Sequence, residues 1–256
     1  MNVLFTDTFG TGETVVLVHG WAMNSMVWRD FALALAKTYK VICVDLPGHG
    51  HSRSIADFNL DTIAQLLADK VKDKPCIWLG WSLGAEIVLH FAHRYPEKVR
   101  KLILLAGTPC FVHKPGWPGV NKTVLEQFSA TLSDSVNRTV LRFLTLQSQG
   151  LPEAKILLRQ LQAAVIGNGL PDQGSLQAGL KILVEADLRP ELSRITMPIL
   201  VILGEKDILI PYVIAEKLTK LNPNLATYSV DTAGHMPFLS HQNDIVKRIN
   251  QFIEIH

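Results

Sequence analysis

The chain has 256 residues, 48% of them hydrophobic and 19% charged, with a formal net charge of +2. That length suits one large α/β domain, or one domain carrying an insertion, and it is enough to bury a substantial core. So small a net charge excludes a globally basic nucleic-acid or membrane binder, and any basic partner site must be local.

The opening stretch MNVLFTDTFG lacks the basic region and long apolar run of a signal peptide, and no apolar run further on reaches the length of a membrane span. Residues 2–8 are expected to form an antiparallel edge strand. Apolar, β-branched runs then predict strands at 14–18, 40–44, 76–80, 101–106, 198–203 and 226–231. Helical spacing falls between them, at 60–71 and 83–94 among other places. The strands are continuously rather than alternately hydrophobic, which marks a parallel sheet buried on both faces. The fold class is therefore α/β, a doubly wound and mostly parallel sheet. Cys43 and Cys76 lie inside such apolar runs, Cys110 stands far from both, and no C-x-x-C occurs. Neither a zinc ribbon nor a redox pair is suggested, and a reducing, cytoplasmic setting is expected.

The alternation breaks between about Phe111 and Arg189, where about four helical patterns are punctuated by Pro115, Pro118, Gly150, Pro152 and Pro171. Gly150 suits a helix C-terminus and Pro152 the first turn of the next helix. The expected division is a core of residues 1–110 and 190–256 with a helical lid inserted at 111–189. At 100° per residue, a helix over 135–149 places Val136, Val140, Phe143, Leu144 and Gln147 on one face. Arg138, Arg142 and Gln149 fall opposite. In the next helix Leu157, Leu158, Leu161 and Val165 share a face, with Lys155 and Arg159 on the other. Each helix thus presents an i, i+4 cationic pair away from its apolar side. Like charges at that spacing repel, so a solvated face and a polyanionic partner are both open readings. Gln147, polar within an apolar stripe, must find a hydrogen bond from a substrate or from backbone.

Chemistry enters at G-W-S-L-G, residues 80–84, with strand character before Ser82 and helix character after it. A serine on such a strand-to-helix turn has its hydroxyl exposed at the carboxyl edge of the sheet, provided its neighbours are small. It needs a base, and the acid and histidine are expected later in the chain in that order. His235, in D-T-A-G-H-M-P-F, follows the last predicted strand. Asp207, in L-G-E-K-D, follows the one before, with Glu205 and Asp231 as rivals. Backbone N–H groups of Leu83 and of Trp21, in V-H-G-W, are the expected oxyanion donors. The Trp21 indole is alternatively a wall of the acyl site. His19 reads as a hydrogen bonder orienting that loop. His90-x-x-His93 and His49-x-His51 lack a third ligand at sensible spacing, and no nucleotide motif follows a strand, so no cofactor or metal is expected.

H-G-W (19–21), D-L-P-G-H-G-H-S (45–52), G-W-S-L-G (80–84), G-E-K-D (204–207) and G-H-M-P-F (234–238) resemble the α/β-hydrolase superfamily. W-P-G (117–119), R-F-L-T-L-Q (142–147) and G-L-K-I-L-V-E-A-D-L-R (179–189) are more specific. With them the chain resembles, over essentially its full length, the pimeloyl-[acyl-carrier protein] methyl ester esterases of biotin synthesis. The resemblance implies a serine carboxylesterase that releases methanol from a carrier-bound pimeloyl methyl ester. It implies catalytic roles for Ser82, Asp207 and His235, and acyl binding by Trp21, Leu83 and Phe143, Leu144, Thr145, Leu146 and Gln147. It also implies contacts from Arg138, Arg142, Lys155 and Arg159 to an acyl carrier protein, with the enzyme acting as a monomer. Lys155 stands where a close relative has Arg, and Ala85-Glu86 where relatives often continue with Gly and an apolar residue. A short-chain esterase, a lactonase, a carbon–carbon bond hydrolase or a non-catalytic small-molecule receptor would share the same scaffold.

Overall fold

The computed structural model describes residues 3–72, 75–148, 154–166 and 169–255. The readings made above for Asn2, Gln149, Gly150 and Pro152, and for the side chain of Leu157, lie outside the described residues. Among the described residues seven strands form one sheet: β1 (Thr6–Phe9), β2 (Thr14–Val18), β3 (Lys40–Val44), β4 (Cys76–Trp81), β5 (Val99–Leu105), β6 (Ile199–Gly204) and β7 (Leu225–Val230). Their spatial order is β1-β3-β2-β4-β5-β6-β7. β1 runs antiparallel to β3, and every other neighbouring pair is parallel. Every residue of β2, β4 and β6 is buried, as continuous apolar runs require of a sheet covered on both faces. The chain passes outward from β2 to β3, then returns to place β4 on the other side of β2. Loops leaving the carboxyl ends of β2 and β4 therefore diverge and open a crevice between them.

The helices of the core are α1 (Arg29–Leu35), α2 (Leu60–Lys70), α3 (Leu83–Arg94), α9 (Ala215–Leu221), α10 (Pro237–Ser240) and α11 (Gln242–Glu254). α2 packs with α3, and α1 with α11. Between β5 and β6 the chain instead forms α4 (Lys122–Leu132), α5 (Val136–Ser148), α6 (Ala154–Ile166), α7 (Gln173–Glu185) and the short α8 (Arg189–Leu192). Side-chain caps fix several starts: Asn59 accepts from the Thr62 amide at 2.8 Å, Asn121 from Thr123 at 3.1 Å and Asp172 from Ser175 at 2.8 Å. No helix among the described residues is long and apolar enough to cross a membrane.

Both ends of the insertion are fastened together at its base. The Leu188 amide donates to the Pro109 carbonyl at 2.7 Å. Asp187 accepts from Lys114 at 2.9 Å and from two nitrogens of Arg189 at 2.7 and 2.6 Å. The Arg189 guanidinium, with help from Lys114, holds the Asp187 carboxyl well below the usual carboxylate range. Arg189 also stacks on Trp117, 5.2 Å from the ring centroid, and the Trp117 indole donates to the Cys110 carbonyl at 2.9 Å. The W-P-G and E-A-D-L-R stretches thus meet in space.

Strand limits move by small amounts for identifiable reasons. The edge strand starts at Thr6 because residues before it bond elsewhere: Phe5 N–H to Ser52 Oγ (2.8 Å), and the Val3 and Phe5 carbonyls to the amides of Arg53 and Asp45 (both 3.1 Å). β5 begins earlier than its apolar run, at Val99, because a register irregularity lets Cys76 pair with Val99 before Ile77 pairs with Lys101. The region expected to lack strands holds two isolated bridges, Val112 with Val120 and Lys114 with Trp117, which shape a tight turn.

Two buried polar features set stability expectations. Lys101 is buried in β5, and its Nζ donates to the carbonyls of Phe252, Ile253 and Ile255 at 2.6, 2.9 and 2.8 Å. It thereby caps the carboxyl end of α11 with a positive charge. Lys101→Met leaves those acceptors without their donor. The expected cost is on the order of 3 kcal/mol, or about 6–12 °C in Tm, with turnover per folded molecule unchanged. An unchanged melting temperature would remove this role from Lys101.

His19 and His49 are buried with rings 5.3 Å apart. His19 donates from Nδ1 to the Gly20 carbonyl (2.8 Å) and accepts the Leu46 amide at Nε2 (3.0 Å), which ties the loop after β2 to the loop after β3. His49 donates from Nδ1 to the Pro47 carbonyl at 2.9 Å. Burial pushes His19 down to about 4, and burial aided by the neighbouring His19 pushes His49 down to about 3, from an ordinary 6.5. The unfolded chain therefore binds these protons first. Stability falls as pH drops below about 6.5, by on the order of 2 kcal/mol per ring between pH 7 and 5. Denaturant unfolding at stepped pH checks this, and a flat stability across that window contradicts it.

Candidate active site

Ser82 joins β4 to α3 with φ 56° and ψ −118°, a backbone that L residues rarely adopt. The turn closes because a Cβ at Gly80 would strike the backbone of Gly84, and one at Gly84 would strike the carbonyl oxygens of Val18 and His19. The Ser82 amide donates to the Leu105 carbonyl at 3.1 Å, and the Ser82 carbonyl accepts from Ala85 at 2.9 Å. Its side chain makes no capping bond to α3 and points instead to His235, with 2.9 Å between Oγ and Nε2. His235 Nδ1 lies 2.8 Å from Asp207 Oδ2. An ionised carboxylate accepts only, so Nδ1 carries the proton and Nε2 is the acceptor for the hydroxyl. The three residues are 1%, 1% and 7% exposed, in the order Ser82, His235, Asp207.

Asp207 is held from its other oxygen, Oδ1, by the amides of Leu209 (2.8 Å) and Ile210 (3.0 Å). Glu205 and Asp231, the rival acids, are exposed. His235 is also fixed through its backbone: the Trp81 indole donates to its carbonyl at 2.8 Å. Trp81 and Phe238 stack edge to face at 5.0 Å, and Phe238 packs on Trp28 at 4.4 Å, which gives the imidazole an apolar wall. Sequence reasoning passed over Trp81, although its place beside Ser82 in G-W-S-L-G was the available signal. Its partner is a carbonyl, which no pattern announces.

The loop after β2 reaches Ser82 directly. A Cβ at Gly20 would sit 3.2 Å from the Ser82 Cβ, so the chain leading into Trp21 is in van der Waals contact with the serine. Leu83 is the first residue of α3 and follows Ser82 directly. The Trp21 indole N–H is already engaged, donating to the Leu176 carbonyl of α7 at 2.8 Å. Its ring packs edge to face on Phe143 of α5 at 4.7 Å, and a Cβ at Gly179 of α7 would come within 2.9 Å of it. The Trp21 indole therefore presents an apolar ring whose N–H is already bonded.

Of the five expected acyl-binding positions on α5, Phe143, Leu144 and Gln147 are buried and Leu146 is half-buried. Phe143 also packs edge to face on Phe128 at 5.3 Å. Thr145 is exposed, and its hydroxyl donates to the Leu141 carbonyl at 2.9 Å, so the structure does not bring it to the site. Gln147 Oε1 has no hydrogen-bond partner among the described residues. Arg138, Arg142, Lys155 and Arg159 are all exposed, on α5 and α6, which pack together. Arg142 additionally rests on the Phe128 ring, 5.3 Å from its centroid. His90 bridges Asp61 of α2 and Glu191 of α8, each at 3.1 Å.

An α/β hydrolase fold model matches residues 13–242. A pimeloyl-[acyl-carrier protein] methyl ester esterase from Methylococcus capsulatus is 39% identical over 250 residues, 98% of each chain. One from Aliivibrio fischeri is 38% identical over 255 residues, covering 99% of this chain and 98% of the relative. Among solved structures, an esterase from Exiguobacterium antarcticum superposes with a TM-score of 0.88 at 22% identity, covering 98% of this chain and 95% of that one, a likeness of fold. Strand order, the turn at Ser82 and similarity along the whole length agree: the chain belongs to the α/β-hydrolase fold family and, within it, to the pimeloyl-[acyl-carrier protein] methyl ester esterases.

Proposed function

We propose that this protein is a serine carboxylesterase that cleaves the methyl ester of pimeloyl-[acyl-carrier protein], giving methanol and pimeloyl-carrier for biotin synthesis in the cytoplasm. The observation that carries the mechanism is the hydrogen-bonded line Ser82–His235–Asp207 at the mouth of the crevice between β2 and β4. A hydroxyl bonded to a neutral imidazole, itself bonded to a buried carboxylate, is an activated nucleophile. The choice of ester rests on the relatives, whose similarity runs through the insertion as well as the core.

In this reading Ser82 Oγ attacks the methyl ester carbonyl while His235 Nε2 takes its proton. Asp207 holds the imidazole and stabilises its cation. The amides of Trp21 and Leu83 receive the oxyanion at the positive end of α3. His235 then protonates the departing methoxide, leaving the acyl group as an ester on Ser82. Water, deprotonated by His235, attacks that acyl-enzyme and frees a carboxylate at the end of the pimeloyl chain. The carrier thioester is untouched. No metal or organic cofactor takes part, and the enzyme acts as a monomer.

The insertion 111–189 serves as a lid over the acyl chain. Trp21, Leu83, Phe143, Leu144 and Gln147 supply its lining, with the unpartnered Gln147 amide oxygen available to a polar group of the substrate. Outside, Arg138, Arg142, Lys155 and Arg159 offer four exposed cations to an acidic carrier. Lys155 contributes a point charge rather than a bidentate fork.

Two experiments test this reading. Ser82→Ala should lower kcat on the carrier-bound methyl ester by a factor of about 10^4 or more while folding normally. A fully active alanine variant would sink the mechanism. Arg138→Glu combined with Arg159→Glu should raise KM for the carrier-bound ester by roughly 10- to 100-fold and spare a small soluble ester. Arg142 is left intact in that pair because it rests on Phe128 and, through it, on Phe143. Equal losses on both substrates would point to a distorted lid instead.

A further inference from the structure

Glu86 belongs to no part of the machinery above, yet it is 0% exposed and lies on α3 one helical turn beyond Ser82. Neither carboxyl oxygen has a hydrogen-bond partner among the described residues. Its surroundings follow from the stripe it occupies. Leu83, Glu86 and His90 share one face of α3. Leu83 meets Gly179 of α7, and His90 is held by Glu191 of α8, so Glu86 lies beneath the returning end of the insertion. The charged groups of every neighbouring element are already committed or turned away. On α7, Lys181 and Glu185 are exposed and pair with each other at 4.0 Å. Glu191 of α8 and Asp61 of α2 bind His90. Lys114 and Arg189 both bind Asp187. From the loop after β5 comes Cys110, a thiol that burial, helped by Asp187, pushes up.

An ionised carboxylate shut away from bulk solvent, with no donor or cation facing it among the described residues, is costly, and a carboxyl group so situated keeps its proton. We propose that Glu86 is an uncharged carboxylic acid in the working protein, and that its ionisation at alkaline pH is an electrostatic off-switch for the oxyanion end of α3. Burial alone pushes this carboxyl well above the ordinary 4.5. The switch follows from distance. Four residues of helix rise set the Glu86 backbone about 6 Å along the axis of α3 from that of Ser82. A negative charge in the first turn of that helix, shut away from solvent, opposes the positive end of its dipole and slows formation of the oxyanion roughly tenfold. Kept neutral, Glu86 leaves the helix terminus positive. On ionisation its proton passes to solvent and the carboxylate opposes both the oxyanion and the packing of α7.

The rate arm rests on reading Ser82 as the nucleophile; the stability arm does not. Unfolded Glu86 ionises near its ordinary value, so across the interval up to its folded value unfolding releases a proton and stability falls as pH rises. The melting temperatures of wild type and Glu86→Leu should diverge with pH, the leucine variant gaining about 6–10 °C on wild type between pH 5.5 and 8.5. On a small soluble methyl ester, kcat/KM of wild type should fall about tenfold as pH is stepped upward through the alkaline range, while Glu86→Gln, neutral and of the same shape, holds its plateau. A temperature gap independent of pH shows Glu86 ionised or paired and overturns the proposal. A widening gap with the same alkaline fall in wild type and Glu86→Gln overturns the switch. Retained activity in Ser82→Ala would remove the nucleophile reading and leave the temperature arm as it stands.

Discussion

A strand that becomes a helix within a single residue cannot relax that residue, and the turn at Ser82 imposes this condition on the rest of the molecule. A backbone of this kind costs on the order of 1–3 kcal/mol and persists only where its surroundings over-determine it. Here they do. β4 is paired on both sides, α3 lies against the end of β2, and the Ser82 amide is bound to β5. Because the strain turns the hydroxyl away from α3, the serine cannot cap its own helix, and its oxygen is left for His235. Without a side-chain cap, the start of α3 keeps the positive end of its dipole beside the serine.

Around that fixed point, buried polar groups divide by whether they have partners. Asp207, His19 and Lys101 are each held by backbone groups. Each therefore stabilises one arrangement of a loop or terminus, because its loss would leave buried donors or acceptors unmet. Glu86 and Gln147 are buried without a complete set of partners. Such groups are expensive in a merely structural role. One lies on the helix that follows Ser82 and the other on α5 of the insertion.

The sequence disclosed the sheet because its strands are buried on both faces: β2 and β3 fall where their apolar runs begin and end. Limits set by partners rather than by composition were not visible. Phe5 is as apolar as a strand residue but bonds to Ser52, and Val99 joins β5 only through an irregular register. Ser82, Asp207 and His235 were legible because residue type, order and position after strands all constrained them together. Lys101 was not, since one lysine at the start of an apolar run reads as a solvated end, and its acceptors are carbonyls about 150 residues away. Thr145 is instructive in the opposite sense. The resemblance carried 143–147 over as a block, while helical spacing alone had already put Thr145 off the face shared by Phe143, Leu144 and Gln147.

Trp21 connects the two halves of the problem, the chemistry and the choice of substrate. Its backbone belongs to the loop that touches Ser82, while its side chain belongs to the insertion through Leu176, Gly179 and Phe143. Displacing α7 outward would break the indole hydrogen bond to Leu176 and remove the close packing of the ring on Gly179. The same movement would unload the loop that positions the Trp21 amide beside the serine. The loop is restrained on its other side, where His19 is bonded to Leu46. The loop beside Ser82 and the helices of the insertion are thus mechanically coupled, because a single buried residue takes part in both.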